Sequence, residues 1–540
     1  MSSYLLYKAV YAFIVTHTQL CINFENNYRN LLHQLEGNIM EIEKDNFYRD
    51  TFVLTLSNLA MGVLRFMFSI ILSRQLGPEG VGLYGLVMPI YDLFCCLVCG
   101  GIIAAISRET SAYLGTHRYM DLHKTVRVTK GFIIIWSVLV AGFMFLLTPI
   151  ISNYIIKDSR AILSLWIASP AIIFIAISCV YKGYFYGVSE VITPSVIDIV
   201  EKAVRMILLV SIITIFSLKT IKDTVAATYF AFTVGEVISF IWLFCFYHKS
   251  IKKIPTTNAV RTENNLQLLF NILVIAVPLA INGFLTTALQ SVSTLMVPRR
   301  LMVAGFDYIG ALEVIGKFNG MALAIIYFPL IVVNSLSTVI IPDISKKLSR
   351  KSNISTRINE VIKICFILGI STAIICFVCP DILGNLFFKR TDISSYIKIA
   401  AISAPFMYCH YCTYSILNGI GKQKIILISS IATALIELVL IFFLIGIPSI
   451  NIYGYGISLV LTSIIGLAFN LYFIGKEVDL SLPIGEIFII ALLSIFIYIL
   501  TKLVYNIMPA NLEVLKCIII IIIAFSLFFI SSLLIRKSSN

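Results

Sequence analysis

The 540 residues carry 59% hydrophobic and only 13% charged side chains, with a mean hydropathy of +0.95. Soluble domains carry roughly 25% charged and about 45–50% apolar residues. An ordinary soluble enzyme, a disordered chain, a collagen and a secreted disulfide scaffold are therefore excluded. The net charge of +13 reads as basic loops facing anionic lipid, not as a nucleic-acid footprint.

Taken in chain order, residues 1–46 form an N-terminal tail. Its apolar stretch Tyr4–Val15 is interrupted by Lys8 and is too short to cross a bilayer. No small-residue cleavage site follows it. Met40 opens the charged lead-in Glu41, Glu43, Lys44, Asp45 and Arg49, so translation is expected to start there.

A membrane-crossing helix needs about 20 mostly apolar residues. Candidate spans fall at 51–72, 83–106, 131–151, 161–181, 194–216 and 224–247, the helices of an N-lobe over 47–248. A basic linker, 249–267, follows. Spans resume at 268–296, 313–341, 359–379, 396–418, 425–446 and 453–474, a C-lobe over 268–475. The last two, 485–506 and 513–535, are appended within 476–540. The expected fold is thus an all-α polytopic membrane protein of about fourteen helices. With the N-terminus cytoplasmic, about 24 Lys and Arg fall inside and about 9 outside, the bias of cytoplasmic loops. Both termini are then cytoplasmic.

The chain repeats itself. Ser169-Pro170 opens a helix ending at Tyr184-Phe185-Tyr186-Gly187, and the next helix carries Glu201. Ala404-Pro405 opens one ending at Asn418-Gly419-Ile420-Gly421, whose successor carries Glu437. The offsets are 234 to 236 residues, and Ala105-Ile106-Ser107-Arg108 is echoed by Asp343-Ile344-Ser345-Lys346 near 238. Two six-helix lobes in the same order imply an axis along the membrane normal, as in transporters with a substrate site between lobes.

Ionisable groups inside spans are costly, at least about 2.5–3.5 kcal/mol at the centre, and normally face a cavity or a partner. Arg65, Arg74, Asp92, Glu201, Arg205 and Arg300 are the candidate substrate-binding set. Asp198, Glu236, Lys317 and Glu437 are coupling or ion-pair candidates. Asp198, Glu201, Lys202 and Arg205 share one helical stripe. Guanidinium groups suit a pyrophosphate because their planar fork donates two parallel hydrogen bonds. The competing reading makes Glu201 and Arg205 a buried ion pair that fixes helix packing, and Glu313, Lys317, Arg299 and Arg300 interface anchors. Pro170, Pro278, Pro329 and Pro405 are expected to kink helices, and Gly100-Gly101 and Gly183 to permit close packing.

The run Ser73-Arg74-Gln75-Leu76-Gly77-Pro78-Glu79-Gly80-Val81-Gly82-Leu83-Tyr84 resembles the signature of the stage V sporulation protein B group. So do Ile106-Ser107-Arg108, Tyr181-Lys182-Gly183-Tyr184-Phe185-Tyr186-Gly187 and Val200-Glu201-Lys202-Ala203-Val204-Arg205. That polysaccharide biosynthesis group sits in the multidrug/oligosaccharidyl-lipid/polysaccharide exporter superfamily, beside the lipid II flippase MurJ. The resemblance, from about residue 47 to the C-terminus, implies two lobes, alternating access and transport of a lipid-linked peptidoglycan precursor for the spore cortex. It also implies a first-span arginine where this chain has Ser69, with Arg65 one turn earlier on the same face.

No catalytic residue, metal site or cofactor is expected. A phosphate-binding G-x-x-x-x-G-K-[ST] loop is absent, as are H-E-x-x-H and G-x-S-x-G. His410, among Tyr408, Tyr411 and Tyr414, reads as a packing residue. The cysteines, Cys376-x-x-Cys379 included, read as core filler. Coupling to proton, sodium or membrane potential stays open. Expected partners are a lipid-linked sugar diphosphate, the bilayer and cell-wall synthesis proteins, with no nucleic acid. The rivals are a cation or drug antiporter of the same superfamily, with an acidic, aromatic cavity, and a non-transporting scaffold for wall synthesis.

Overall fold

Glycine at position 77 decides how the first long helical stretch is used. In the computed structural model α1 runs Asn46–Cys99, but Gly77 breaks it with φ 68° and ψ 178°, a backbone region that glycine enters without steric penalty. Phe68 and Tyr84 are sixteen residues apart, about 24 Å along a straight helix, yet their ring centroids lie 6.4 Å apart. The chain therefore doubles back at Gly77, giving two passes. The structure describes residues 46–255, 263–349, 354–478, 484–509 and 512–539. Met40 and the tail before it lie outside the described residues.

The N-terminal half continues with α2 (Ile102–Gly115), α3 (Tyr119–Ile150), a π-helical turn at Ile151–Ile156, α4 (Ala161–Ala168), α5 (Ala171–Gly187), α6 (Ile192–Ile215) and α7 (Ile221–Ile251). Next comes α8 (Asn265–Val303), then α9 (Tyr308–Ile315), a π segment at Gly316–Ala322, α10 (Leu323–Tyr327) and α11 (Leu330–Ser349). The C-terminal half is completed by α12 (Ser355–Val378), α13 (Pro380–Phe388), α14 (Ser394–Ala401), α15 (Ala404–Ile420), α16 (Gln423–Ile445) and α17 (Tyr453–Glu477). The appended α18 (Ile484–Ile507) and α19 (Glu513–Ser539) pack on each other and on α12. Among the described residues, nine helices are long and apolar enough to cross a membrane. The fourth and tenth expected spans are each split, where Ser169–Pro170 and Ile402–Ser403 interrupt the helix. The protein is a multi-pass, all-α membrane protein. Its outward surfaces carry side chains such as Ile135, Leu139, Phe143 and Leu146, all exposed, because lipid leaves no advantage in hiding them.

The repeat is visible in packing. In the first half α5 lies against α2, α3 and α7, and α6 pairs with α7; in the second, α15 lies against α11, α12 and α17, and α16 pairs with α17. The same atoms meet in both. A Cβ on Gly183 would touch Ile106 Cβ and the Ile103 carbonyl oxygen; one on Gly419 would touch Ile344 Cβ and the Ile341 carbonyl oxygen. Each half has its own apolar core. Three helices cross between cores. Phe66 of α1 joins the second, and Leu268, Ile272 and Ala276 at the start of α8, with Leu312 of α9, join the first.

Candidate functional site

The two halves meet tightly at the end of the bundle that carries the Gly77 turn. Gly82 presses on the carbonyl of Leu312, and Gly316 on the carbonyl of Pro78. Positions 78 and 312, like 82 and 316, are repeat equivalents, so the contact is its own image under the pseudo-twofold. Arg74 adds a clamp, its Nε and Nη2 donating to the carbonyls of Phe387 at 2.8 Å and Leu386 at 2.9 Å. Ser69 Oγ donates to the Gly320 carbonyl at 2.7 Å, so the position where the resemblance implies an arginine is a helix contact. Arg299 donates to the Ile155 carbonyl.

Flanking this closed end, each lobe holds an ion-pair group. Arg160 pairs with Glu79 at 2.7 Å and Asp158 at 2.8 Å. In the other lobe Asp392 pairs with Arg390 at 2.7 Å and Lys317 at 3.0 Å, and Lys317 also lies 3.5 Å from Glu313. Asp158 and Glu79 raise the Arg160 pKa above the ordinary guanidinium value. Arg390, then Lys317, hold the Asp392 carboxyl below the usual carboxylate range.

Inside the N-terminal half the predicted charged stripe on α6 is brought against α7. Arg205 Nη2 donates to Glu201 Oε1 and to Glu236 Oε1, the latter at 3.1 Å, and its guanidinium lies 4.1 Å above the Phe232 ring. Lys202 pairs with Glu201 at 3.1 Å, and Lys182 of α5 with Asp198 at 2.6 Å. Gly235 leaves room for the Glu201 carboxylate. These charges fall into two groups, Lys182 with Asp198, and Glu201 with Lys202, Arg205 and Glu236, paired as burial demands of charge.

Arg65 is different. It is exposed and makes no ion pair or hydrogen bond among the described residues. At about 100° per residue it stands roughly 60° from Gly62 and roughly 60° from Phe68. Gly62 packs on Ile331 of the second lobe and Phe68 on Tyr84 of the first, so Arg65 points into the seam between lobes. Asp92 is also exposed and without a partner among the described residues. It shares a helix face with the Pro89 carbonyl, which accepts from Ser291, and with Cys96, 3.3 Å from Thr287. A Cβ on Gly85, seven residues earlier on that face, would meet nothing within 4 Å. The six candidate binding residues thus fall into separate settings. Arg65 and Asp92 line the seam, Arg74 clamps the closed end, and Glu201 and Arg205 are mutually paired. Arg300 lies 4.2 Å above Phe442 and against Gly446, within the second lobe.

The second lobe holds a cavity of about 360 Å³ that the sequence had not suggested, lined by Glu437, Gln290, Tyr327, Tyr411, Tyr414 and His410 together with several hydroxyls. Glu437 has no partner there among the described residues. The His410 ring lies 4.7 Å from Tyr414, and its Nε2 is buried without a hydrogen bond. The regular Tyr408, Tyr411 and Tyr414 spacing was the available signal, but Gln290 and Tyr327 arrive from distant helices. All eleven cysteines among the described residues are free thiols.

The family model for polysaccharide biosynthesis proteins matches residues 47–348. The chain belongs to that family. A MatE family model also matches, over residues 278–443. Stage V sporulation protein B of Bacillus subtilis is 26% identical over 454 residues, covering 82% of this chain and 86% of the relative. Lipid II flippase MurJ of the same organism is 20% identical, covering 73% and 76%. Among solved structures, a lipid II flippase MurJ in an inward closed conformation aligns with TM-score 0.69 and 16% identity over 91% of this chain and all of that one. An inward-facing multidrug resistance MATE family transporter aligns with TM-score 0.60 and 14% identity, covering 78% and 98%. The fold is that of the MurJ and MATE transporters.

Proposed function

We propose that the protein is a flippase. It moves a lipid-linked peptidoglycan precursor, lipid II-like, or a related lipid-linked oligosaccharide across the cytoplasmic membrane by alternating access, in spore cortex synthesis. The observation that carries this reading is Arg65, an unpaired cation at the seam between two like lobes. An uncompensated arginine within a span costs several kcal/mol unless water or an anion reaches it, and the diphosphate of a lipid-linked sugar is such an anion. The similarity to a stage V sporulation protein and to lipid II flippases supports the substrate class.

With both termini cytoplasmic, the tight Gly82–Gly316 end is extracytoplasmic, and the chain stands closed to the outside. The headgroup enters from the cytoplasmic leaflet, its phosphates meet Arg65, and the lipid tail stays in the bilayer. Neutralising the cation favours the state in which the lobes swing over, since a ligand shifts a conformational equilibrium only by binding one state better. Arg205 arrives already neutralised by Glu201 and Glu236, so its part is to stiffen the first lobe. The chemistry is translocation, with proton, sodium or membrane potential as the driving force.

Translocation of a fluorescent lipid-linked sugar diphosphate in proteoliposomes is the test. Arg65→Ala should abolish it, at least tenfold below wild type, with an unchanged melting temperature. Wild-type activity in that variant would sink the assignment. The acidic, aromatic cavity around Glu437 favours a second reading, an organic-cation antiporter. Proton- or sodium-driven efflux of such a cation by the same vesicles, with no lipid movement, would establish it instead.

A further inference from the structure

The second-lobe cavity has a composition of its own. Tyr327, Tyr411 and Tyr414 offer aromatic faces, Glu437 a carboxylate and Gln290 an amide. Three hydroxyls on its wall are already spent as donors. Ser430 donates to the Leu427 carbonyl, Thr433 to that of Ser429 and Thr462 to that of Ser458. Their oxygens, like the Glu437 carboxylate, therefore face the cavity as acceptors. The cavity is thus a ring of acceptors and phenol groups around aromatic surface.

Its mouth is set by the helices that meet the other lobe. Gln290 follows Thr287 and precedes Ser291 on α8, whose side chains touch Cys96 and the Pro89 carbonyl of α1. Tyr327 precedes Phe328, whose ring stands 4.6 Å from that of Phe66. Gln290 and Tyr327 thus place one side of the cavity on helical segments that also meet the other lobe.

We infer that this cavity is a sugar subsite, taking one pyranose ring of the headgroup whose diphosphate lies at Arg65; the inference rests on the flippase reading above. A pyranose is a ring of hydroxyl donors with an apolar C–H face, which matches acceptors arranged round aromatic rings. The volume fits as well. About 360 Å³ is about twelve times the share of one liquid water, room for a hexose with its N-acetyl group. A lone metal ion would leave most of it to solvent. Among the described residues no three His, Cys, Asp or Glu side chains come together to hold one.

The experiment compares two probes on the full-length protein in nanodiscs: undecaprenyl diphosphate, and the same lipid bearing an N-acetylated disaccharide. Wild type should bind the glycosylated lipid about tenfold more tightly. Glu437→Gln, nearly isosteric, and Tyr411→Leu should each lose most of that preference while binding the bare diphosphate as wild type does. Arg65→Ala should lose both. Equal binding of the two lipids by wild type, or an undiminished preference in both cavity variants, would overturn the subsite and leave the flippase reading standing. Binding of neither lipid by wild type would remove the flippase reading and the subsite with it. A changed sodium or proton dependence in Glu437→Gln with the sugar preference intact would assign the cavity to a cation and overturn the inference.

Discussion

The Gly82–Gly316 contact makes a quantitative claim about conformation. A Cβ at Gly316 would overlap the Pro78 carbonyl oxygen and stand 2.8 Å from its carbon and 3.0 Å from the Gly82 nitrogen; one at Gly82 would overlap the Leu312 carbonyl. Every atom met is backbone, so neither lobe can yield by turning a side chain, and the lobes must part. Overpacking of this kind costs typically about 1–3 kcal/mol, which corresponds to roughly a 5- to 150-fold fall in the closed-end population relative to the open one. The chain holds 12 cysteines, so unnatural-residue spin labels at Ser159 and Lys389, exposed positions in the two lobes, suit pulsed distance measurement. Gly82→Ala and Gly316→Ala should each move the distribution to longer distances. Gly142→Ala, where a Cβ meets nothing within 4 Å, should not. Unchanged distributions in both interface variants would refute the argument that this contact holds the end shut.

Three further outcomes follow from the same geometry. Arg205→Ala strands Glu236, 9% exposed, beside Glu201, which keeps Lys202, and should destabilise by about 3–5 kcal/mol, read as a lowered melting temperature that Glu236→Gln in the same chain partly restores. Gly183→Ala and Gly419→Ala should each lower thermal stability by about 1–3 kcal/mol, with Gly183 the costlier because its contacts are closer, 2.8 Å against 3.0 Å. Asp392 has a depressed folded pKa, so its contribution is full above the ordinary carboxylate value, about 3.9, and lost as pH falls through the folded pKa. Asp392→Asn should therefore melt slightly lower than wild type at pH 7, by an amount limited by its 43% side-chain exposure. The gap should close only in strong acid.

Membrane spans are legible because a lipid-facing helix must be apolar along its whole length, whatever its neighbours. That is why the turn between the first two passes could be placed from sequence, whereas the breaks before Ala171 and Ala404 fall inside spans expected to be continuous and kinked. The repeat was legible for a related reason. Gly183 and Gly419 have no Cβ because a neighbouring helix occupies that space, and the requirement survives any change in the surrounding apolar residues. Contacts between remote polar groups were not legible. Arg205 reads either as a substrate-facing cation or as a partner of Glu201 until α7 brings Glu236 to it, and Glu437 reads as one acid among apolar residues until α8 and α10 supply Gln290 and Tyr327. Local spacing predicts which residues share a face, but it carries no information about what that face meets.

The ion-pair groups at the closed end show how a duplicated fold can keep an interaction while losing its residues. The attraction between two charges depends on their product, so Asp158 with Arg160 and Arg390 with Asp392 attract alike although the signs are exchanged. Desolvation is likewise indifferent to which partner is the anion. What must persist is the backbone that presents the pair, and it does. Lys157 and Lys389 both adopt the left-handed conformation, with φ 63° and 55°, a strained state for a side chain with a Cβ, and each turns the chain into the charged triplet that follows. The unit that the two lobes share is the pair on its turn.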